Sequence, residues 1–192
     1  MATSAYITGR KKYNRPQGML WANEPGTKDA YAYYPLGTEP DDFIVLSDHN
    51  RSEISLSKQR IETRQRMING TMRSYHIDDK INISLSWSNL PSRAFREYDT
   101  FNTSTGLPVE GNYEYTADLG AGGTELVEWY ETHSGPFWVF LSYDTNDTYK
   151  NDRVLAKYNE VRHMYFSSFD YTVSKRSNSF DLWNVSVALE EV

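Results

Sequence analysis

The side chains best suited to chemistry are few in this 192-residue chain. Its imidazoles are His49, His76, His133 and His163, and it has no cysteine. None of the histidines stands in HExxH or HxxxH spacing, so the residues present form no recognisable transition-metal motif. His133, near the end of an expected helix, suits the partial negative charge there and reads as structural. No G-x-S-x-G elbow is present, nor any Ser-His-Asp arrangement recognisable from sequence. The run Gly120-Ala121-Gly122-Gly123 before a helix has the look of a phosphate cradle. It lacks the Lys-Ser/Thr of a P-loop and does not follow a β-α-β pattern, so it reads as a flexible lead-in to the helix. Residues 144–155 look faintly like a calcium loop. Tyr149 stands where such a loop needs glycine and Leu155 where it needs glutamate, so a solvated hairpin loop is expected. Carboxylates are scattered, and nothing places two opposite each other as glycoside cleavage requires. No catalytic, cofactor-binding or metal-binding residues are expected, and the chain does not read as an enzyme.

The elements that would position other functions are more legible. Hydrophobic residues make up 39% of the chain, which fits one domain, or one domain plus an arm. The lack of cysteine fits a cytosolic origin. The first residues contain no apolar core of a secretory signal, and no apolar run approaches the ~20 residues of a membrane-spanning helix. The net charge of −6 argues against general nucleic-acid binding, which rests on phosphate neutralisation. Aromatic residues reach 15%, with 15 Tyr and 5 Trp. These residues carry protein interfaces and also stack on sugars, so composition leaves both roles open.

Residues 1–42 hold no periodic segment and are rich in Gly, Pro, Tyr and charge. They are expected to form an extended arm. Trp21, Tyr31, Tyr33 and Tyr34 are costly to leave in water, so the arm is expected to dock on a neighbouring subunit. From Phe43 onward β signals dominate. Lys58, Arg60, Glu62, Arg64 and Arg66 alternate on one face of a strand. That basic face is either a solvated one or one that pairs with acidic groups of a neighbouring copy. Asn69-Gly70 predicts a type I′ hairpin turn. Ile81, Ile83, Leu85 and Trp87 alternate with polar residues, the mark of a half-buried antiparallel strand. A helix is predicted over residues 125–133, with Thr124 as N-cap and Gly135 in a left-handed position after its end. Phe137 to Tyr143 reads as a strand apolar on both faces, covered by the helix and by a second sheet. Trp87, Trp129, Trp138 and Trp183 all sit in apolar-periodic contexts, which points to the core. The pattern predicts a mainly β chain: two packed antiparallel sheets, as a sandwich or barrel, with one flanking helix, in a domain spanning 43–192.

Two segments carry a resemblance: ELVEWYETHSGPFWVFLSYD (residues 125–144) and FSSFDYTVSKRSNSFDLWNVSVALEEV (residues 166–192). They are similar to bacteriophage tail proteins of the tail-tube, minor-tail and distal-tail type, over roughly the last third of the chain. In that family a short helix ends in Gly, a Phe-rich strand follows, a loop leads to a strand pair, and the chain closes near a sequence like VALEEV. The resemblance implies a tail-tube-like fold and a virion structural role, with copies forming a six-fold ring around a DNA channel. It implies further contacts with adjacent tube, tape-measure or baseplate proteins. DNA would slide through without specific binding and no membrane would be involved. The protein would be made in the host cytoplasm and reside in the virion tail. Trp21, Tyr31, Tyr33, Tyr34, Lys58, Arg60, Arg64 and Arg66 are the candidate assembly residues. The rival reading is a carbohydrate-binding β-sandwich, which would expose two or three aromatics on one sheet face. A hydrolase on a β scaffold is the third.

Overall fold

The computed structural model describes residues 18–28, 33–36, 42–94, 115–118, 120–143, 158–177 and 180–192. The strands are β1 (Gly18–Ala22), β2 (Thr27–Lys28), β3 (Tyr33–Tyr34), β4 (Phe43–Val45), β5 (Ser55–Arg66), β6 (Met72–Pro91), β7 (Phe137–Ser142), β8 (Glu160–Lys175) and β9 (Leu182–Glu191). Helix α1 spans Gly123–Thr132. One antiparallel sheet of seven strands holds the order β4-β1-β7-β8-β9-β6-β5, and β2 and β3 form a separate ribbon.

The chain is mainly β with one short helix, as its alternation predicts. The pair of packed sheets is replaced by this single open sheet. It curves enough to do the work of two. Met19 and Trp21 of β1 and Val139 and Leu141 of β7 share one buried cluster with Ile83, Leu85 and Trp87 of β6 and Val185, Val187 and Leu189 of β9. The two sides of the sheet approach each other where the Trp87 indole Nε1 of β6 donates to the Ser47 carbonyl at 2.8 Å, two residues past the end of β4. A twisted sheet that curls over its own apolar face closes a core without a second sheet.

Helix α1 covers one flank of this core with Leu126 and Trp129, which lie at i, i+3 spacing and are both buried. It begins two residues earlier than the periodicity predicts. Gly122 is its N-cap, and the Glu125 carboxylate accepts the Gly122 N–H at 3.0 Å. Thr124 instead holds the helix to the end of β6, its N–H donating to Ser92 O at 2.7 Å. At the other end His133, rather than Gly135, closes the helix, its N–H donating to Trp129 O at 3.1 Å.

Three further expectations are corrected. Gly18–Ala22 belongs to no arm: β1 lies between β4 and β7, and Met19, Leu20, Trp21 and Ala22 are all buried. Met19 and Trp21 enter the main cluster, while Leu20 and Ala22 enter a second one with Phe43, Val45, Phe140 and Tyr158. Burial of both faces explains why this segment shows no alternation. β7 is likewise apolar on both faces, but its second face meets Tyr158 and Tyr33 rather than a second sheet. The hairpin joining β5 to β6 also differs from a type I′ turn. Only Gly70, at φ 81°, is left-handed there, with Met67 N–H donating to Thr71 O across an Ile68-Asn69-Gly70 loop. Asn69 Oδ1 accepts the Thr71 N–H at 3.1 Å, so its side chain stabilises the loop instead of its backbone inverting.

Candidate assembly surfaces

The β5–β6 hairpin carries most of the predicted basic face. Pairing runs from Ser55↔Ser84 to Arg66↔Met72, and a bulge between Ile61 and Glu62 sets Ile77 out of register. Only the lower part of this ribbon rests on the core, through Ile81 and Ile83. Above it Lys58, Arg60, Arg64 and Arg66 are exposed, as are Ile61, Met72, Tyr75 and Ile77. Ile68, at the tip, is completely exposed. Residues 58–80 hold six Lys and Arg against three carboxylates, a net +3 within a chain of net −6. The cations are partly engaged within the ribbon. Arg60 Nε donates to Asp79 Oδ1 at 3.0 Å, and Arg64 Nε to Glu62 Oε1 at 2.6 Å. The Ser74 hydroxyl also donates to Glu62, at 2.5 Å, and His76 Nε2 lies 3.0 Å from Asp79. The Ser74 hydroxyl and then Arg64 hold the Glu62 carboxyl below the ordinary glutamate value, and Arg60 followed by His76 does the same for Asp79. Arg60, Arg64 and Asp79 are exposed and Glu62 half-buried, so these pairs set the ribbon's shape more than its stability.

Strand edges differ sharply from one another. The outer edge of β4 is closed by Ala121, whose N–H donates to Val45 O at 2.8 Å. The edge of β6 beyond Ser84 is closed by the incoming chain, with Ser52 N–H donating to Ser86 O at 2.8 Å and Ser88 N–H to Asn50 O at 3.1 Å. Two edges stay open among the described residues. β5 pairs with β6 alone. β8 outruns its short neighbour: β7 reaches only to Met164, so from Tyr165 to Lys175 β8 pairs with β9 alone.

Beside the second open edge lies a row of aromatics. Tyr130 of α1 stacks on Phe169 with ring centroids 4.7 Å apart, and Tyr171 stacks on Trp183 at 5.1 Å. The register Phe169↔Val187 and Tyr171↔Val185 places the β8 members on the core face of the sheet. There the cover of α1 thins out: Tyr130 lies over Phe169 and Gly123 over Trp183, and Tyr130 stays 41% and Tyr171 50% exposed. Sequence patterning missed this row as a surface, because alternation assigns the residues a core face and says nothing of where the cover stops.

The remaining predicted residues are dispersed. Trp21 is fully buried, edge-on to Phe137 and Phe166 at 5.6 and 5.3 Å, and so serves its own chain rather than a neighbour. Tyr33 pairs with Tyr158 through its backbone and packs at the second cluster, while Tyr34 pairs with Thr27. Tyr31 lies outside the described residues, as do residues 144–155. Trp87 and Trp129 are core, whereas Trp138 and Trp183 are half-buried.

The glycine run before α1 is filled by the protein itself. The Gly122 N–H is taken by Glu125, and a Cβ on Gly122 would come within 2.6 Å of the Arg93 backbone. A Cβ on Gly123 would lie 2.7 Å from the Trp183 ring. Close approach, not flexibility, calls for these glycines. Ser47, His49 and Asp118 do converge, yet the hydroxyl of Ser47 donates to Asp118 Oδ1 at 2.7 Å and His49 Nδ1 accepts the Ala117 N–H at 3.0 Å. The imidazole is not placed to take the serine proton, which nucleophilic activation needs. His133 stacks on Trp129 at 3.9 Å and reaches Asn23 Oδ1 through Nε2 at 2.5 Å, tying the end of α1 to the end of β1.

No family model and no curated protein matches the chain. Among solved structures, it is similar to a chain in the tail of an empty GTA particle, determined by helical refinement with C6 symmetry. That likeness has 9% identity and a TM-score of 0.39, over 87% of this chain and 95% of that one. It is a weak structural likeness to a tail particle chain, too distant to identify the protein.

Proposed function

We propose that this chain is a structural protein of a bacteriophage tail that closes into a ring by edge-to-edge addition of β strands. The observation that carries the reading is the pair of edges left open among the described residues, on β5 and on β8 from Tyr165 to Lys175. A long unpaired edge is a hazard in a monomer and a joining surface in an assembly. The two edges also match in direction. β8, β9, β6 and β5 are successive antiparallel neighbours, so β5 runs opposite to β8 and can pair antiparallel with the β8 of a rotated copy. Such a head-to-tail contact uses two different surfaces and closes by rotation. The resemblance of the C-terminal third implies six copies. With four strands from each, at about 4.8 Å spacing, the backbone ring would be roughly 37 Å across.

In that ring α1 sits on one side of the sheet, which leaves the opposite face for the channel. The middle of that face presents Ser84, Ser86, Asn184, Ser186, Asp170 and Glu190, with Lys80 and Lys175 toward its two ends, so hydroxyls, amides and carboxylates outnumber the cations that could grip DNA phosphates. The ring would stand in the tube or at the distal or baseplate end, next to tube, tape-measure or baseplate proteins. Its role would be assembly without catalysis. Light scattering after size exclusion, with negative-stain microscopy, tests this. Rings or short tubes are expected. A chain that stays monomeric at high concentration in every salt rejects the reading.

A second reading has one specific observation in its favour. Tyr130 and Tyr171 expose their rings on one sheet face, as a carbohydrate-binding module would require. Saturable quenching of tryptophan fluorescence by a glycan would favour it, since Trp183 lies in the same row.

A further inference from the structure

The loop at the end of the β5–β6 ribbon holds the chain's single Asn-Gly pair, Asn69-Gly70. Both residues are exposed. Asparagine is among the chemically labile residues, most of all before glycine, where no Cβ hinders attack of the next backbone nitrogen on the carboxamide. The space about Gly70 is open as well: a Cβ there would meet nothing within 4 Å.

Hydrogen bonds oppose that attack in the closed loop. Asn69 Oδ1 accepts the Thr71 N–H at 3.1 Å and the Thr71 hydroxyl at 2.6 Å, which fixes the carboxamide on Thr71. The Gly70 N–H donates to Met67 O at 2.9 Å, so the attacking nitrogen is itself engaged. Asn69 Nδ2 donates to no group among the described residues. The loop therefore uses only the acceptor half of this side chain. An aspartate carboxylate supplies the same acceptor with a charge added, which strengthens both bonds. Arg66 and Arg73 flank the loop and form no ion pair among the described residues, so they favour a negative charge there.

We infer that Asn69 is a site of spontaneous deamidation, restrained by Thr71 and built to hold the aspartate that results. The Gly70 backbone nitrogen bonds to Asn69 Cγ and closes a succinimide ring. The Cγ–Nδ2 bond breaks, and the Gly70 amide proton leaves with the side-chain nitrogen as ammonia. Water then opens the ring: addition at Cγ gives aspartate, addition at the main-chain carbonyl gives isoaspartate. Aspartate keeps both bonds to Thr71. Isoaspartate inserts an extra carbon into the main chain of a loop that Met67 N–H and Thr71 O close at 2.8 Å. Either product takes the net charge of residues 58–80 from +3 to +2. Thr71 is a positioning residue in this chemistry, which is independent of the ring reading.

The full-length chain, incubated in mildly alkaline buffer and digested at intervals for mass spectrometry, tests this. Conversion at Asn69 is expected, roughly tenfold slower than in the same chain held in urea. Thr71→Val should speed it roughly fivefold, and Thr71→Ser should restore the wild-type rate, with amide exchange in the paired parts of β5 and β6 unchanged in both. Asn69→Asp should keep the melting temperature and the ribbon's amide protection. A folded chain that converts as fast as the denatured one, or never converts at Asn69, would overturn the inference. So would a Thr71→Val rate equal to wild type, and loss of ribbon protection in Asn69→Asp would show that the loop is not built for aspartate.

Discussion

The β4-β1-β7 end of the sheet and the β5–β6 ribbon are built from the same backbone pairing and differ in almost everything else. In β1 and β7 nearly every residue is buried whatever its parity, because one face meets the main cluster and the other meets Phe43, Phe140 and Tyr158. In the ribbon above Lys58 nearly every residue is exposed whatever its parity. Ladder hydrogen bonds make a strand, but side-chain burial decides whether it holds the fold or is left free to bind. A two-stranded ribbon has little stability of its own, so this one draws its shape from Asp79, Glu62 and their partners.

The comparison breaks or sharpens most clearly at Trp21. Trp21→Ala empties a fully buried site at the junction of β1, Phe137 and Phe166 and is expected to cost about 3–5 kcal/mol in chemical denaturation. A cost no larger than that of a ribbon substitution would erase the distinction. Next comes Gly122→Ala. Its methyl group must displace the Arg93 backbone, and a loss of about 1–3 kcal/mol is expected, with α1 loosened from the end of β6. A neutral result would mean that this corner yields easily.

A pH titration separates the two regions by a smaller effect. The folded values of Glu62 and Asp79 lie below their unfolded ones. Their contribution is complete above the ordinary carboxylate range and is lost as pH falls through the folded values. Amide protection in the ribbon should therefore drop on acidification while that of β1 and β7 holds. Parallel loss in both regions would show that the ribbon is not independent. The smallest effect is expected at Ile77→Ser, on the bulge. It should shift monomer stability by no more than about 0.5 kcal/mol, measured by the same denaturation curves.

Much of the ribbon was legible in the sequence. Alternation from Lys58 to Met67 and the Asn69-Gly70 pair locate a hairpin with one basic face, because period two and a left-handed glycine are local properties. The turn type was not legible, since the choice rests on whether Asn69 inverts its backbone or spends its side chain on Thr71. Gly18–Ala22 misled for a physical reason. A strand buried on both faces has no alternation, and five apolar residues between polar, Pro-containing and Gly-containing stretches look the same whether they dock on a neighbour or on their own sheet. The open edge of β8 could not be read at all, because it is a difference in length between two strands far apart in sequence.

The sequence by itself determined the class of structure: antiparallel strands with period-two burial and one capped helix. These follow from side-chain chemistry over short spans, where neighbours in sequence are neighbours in space. Only the tertiary structure decided that one curled sheet serves in place of two, that Trp21 is core, and that, among the described residues, β5 and half of β8 are left open. Each of these depends on which distant segment arrives to cover a face or an edge, and that cover is set by the packing of the whole chain.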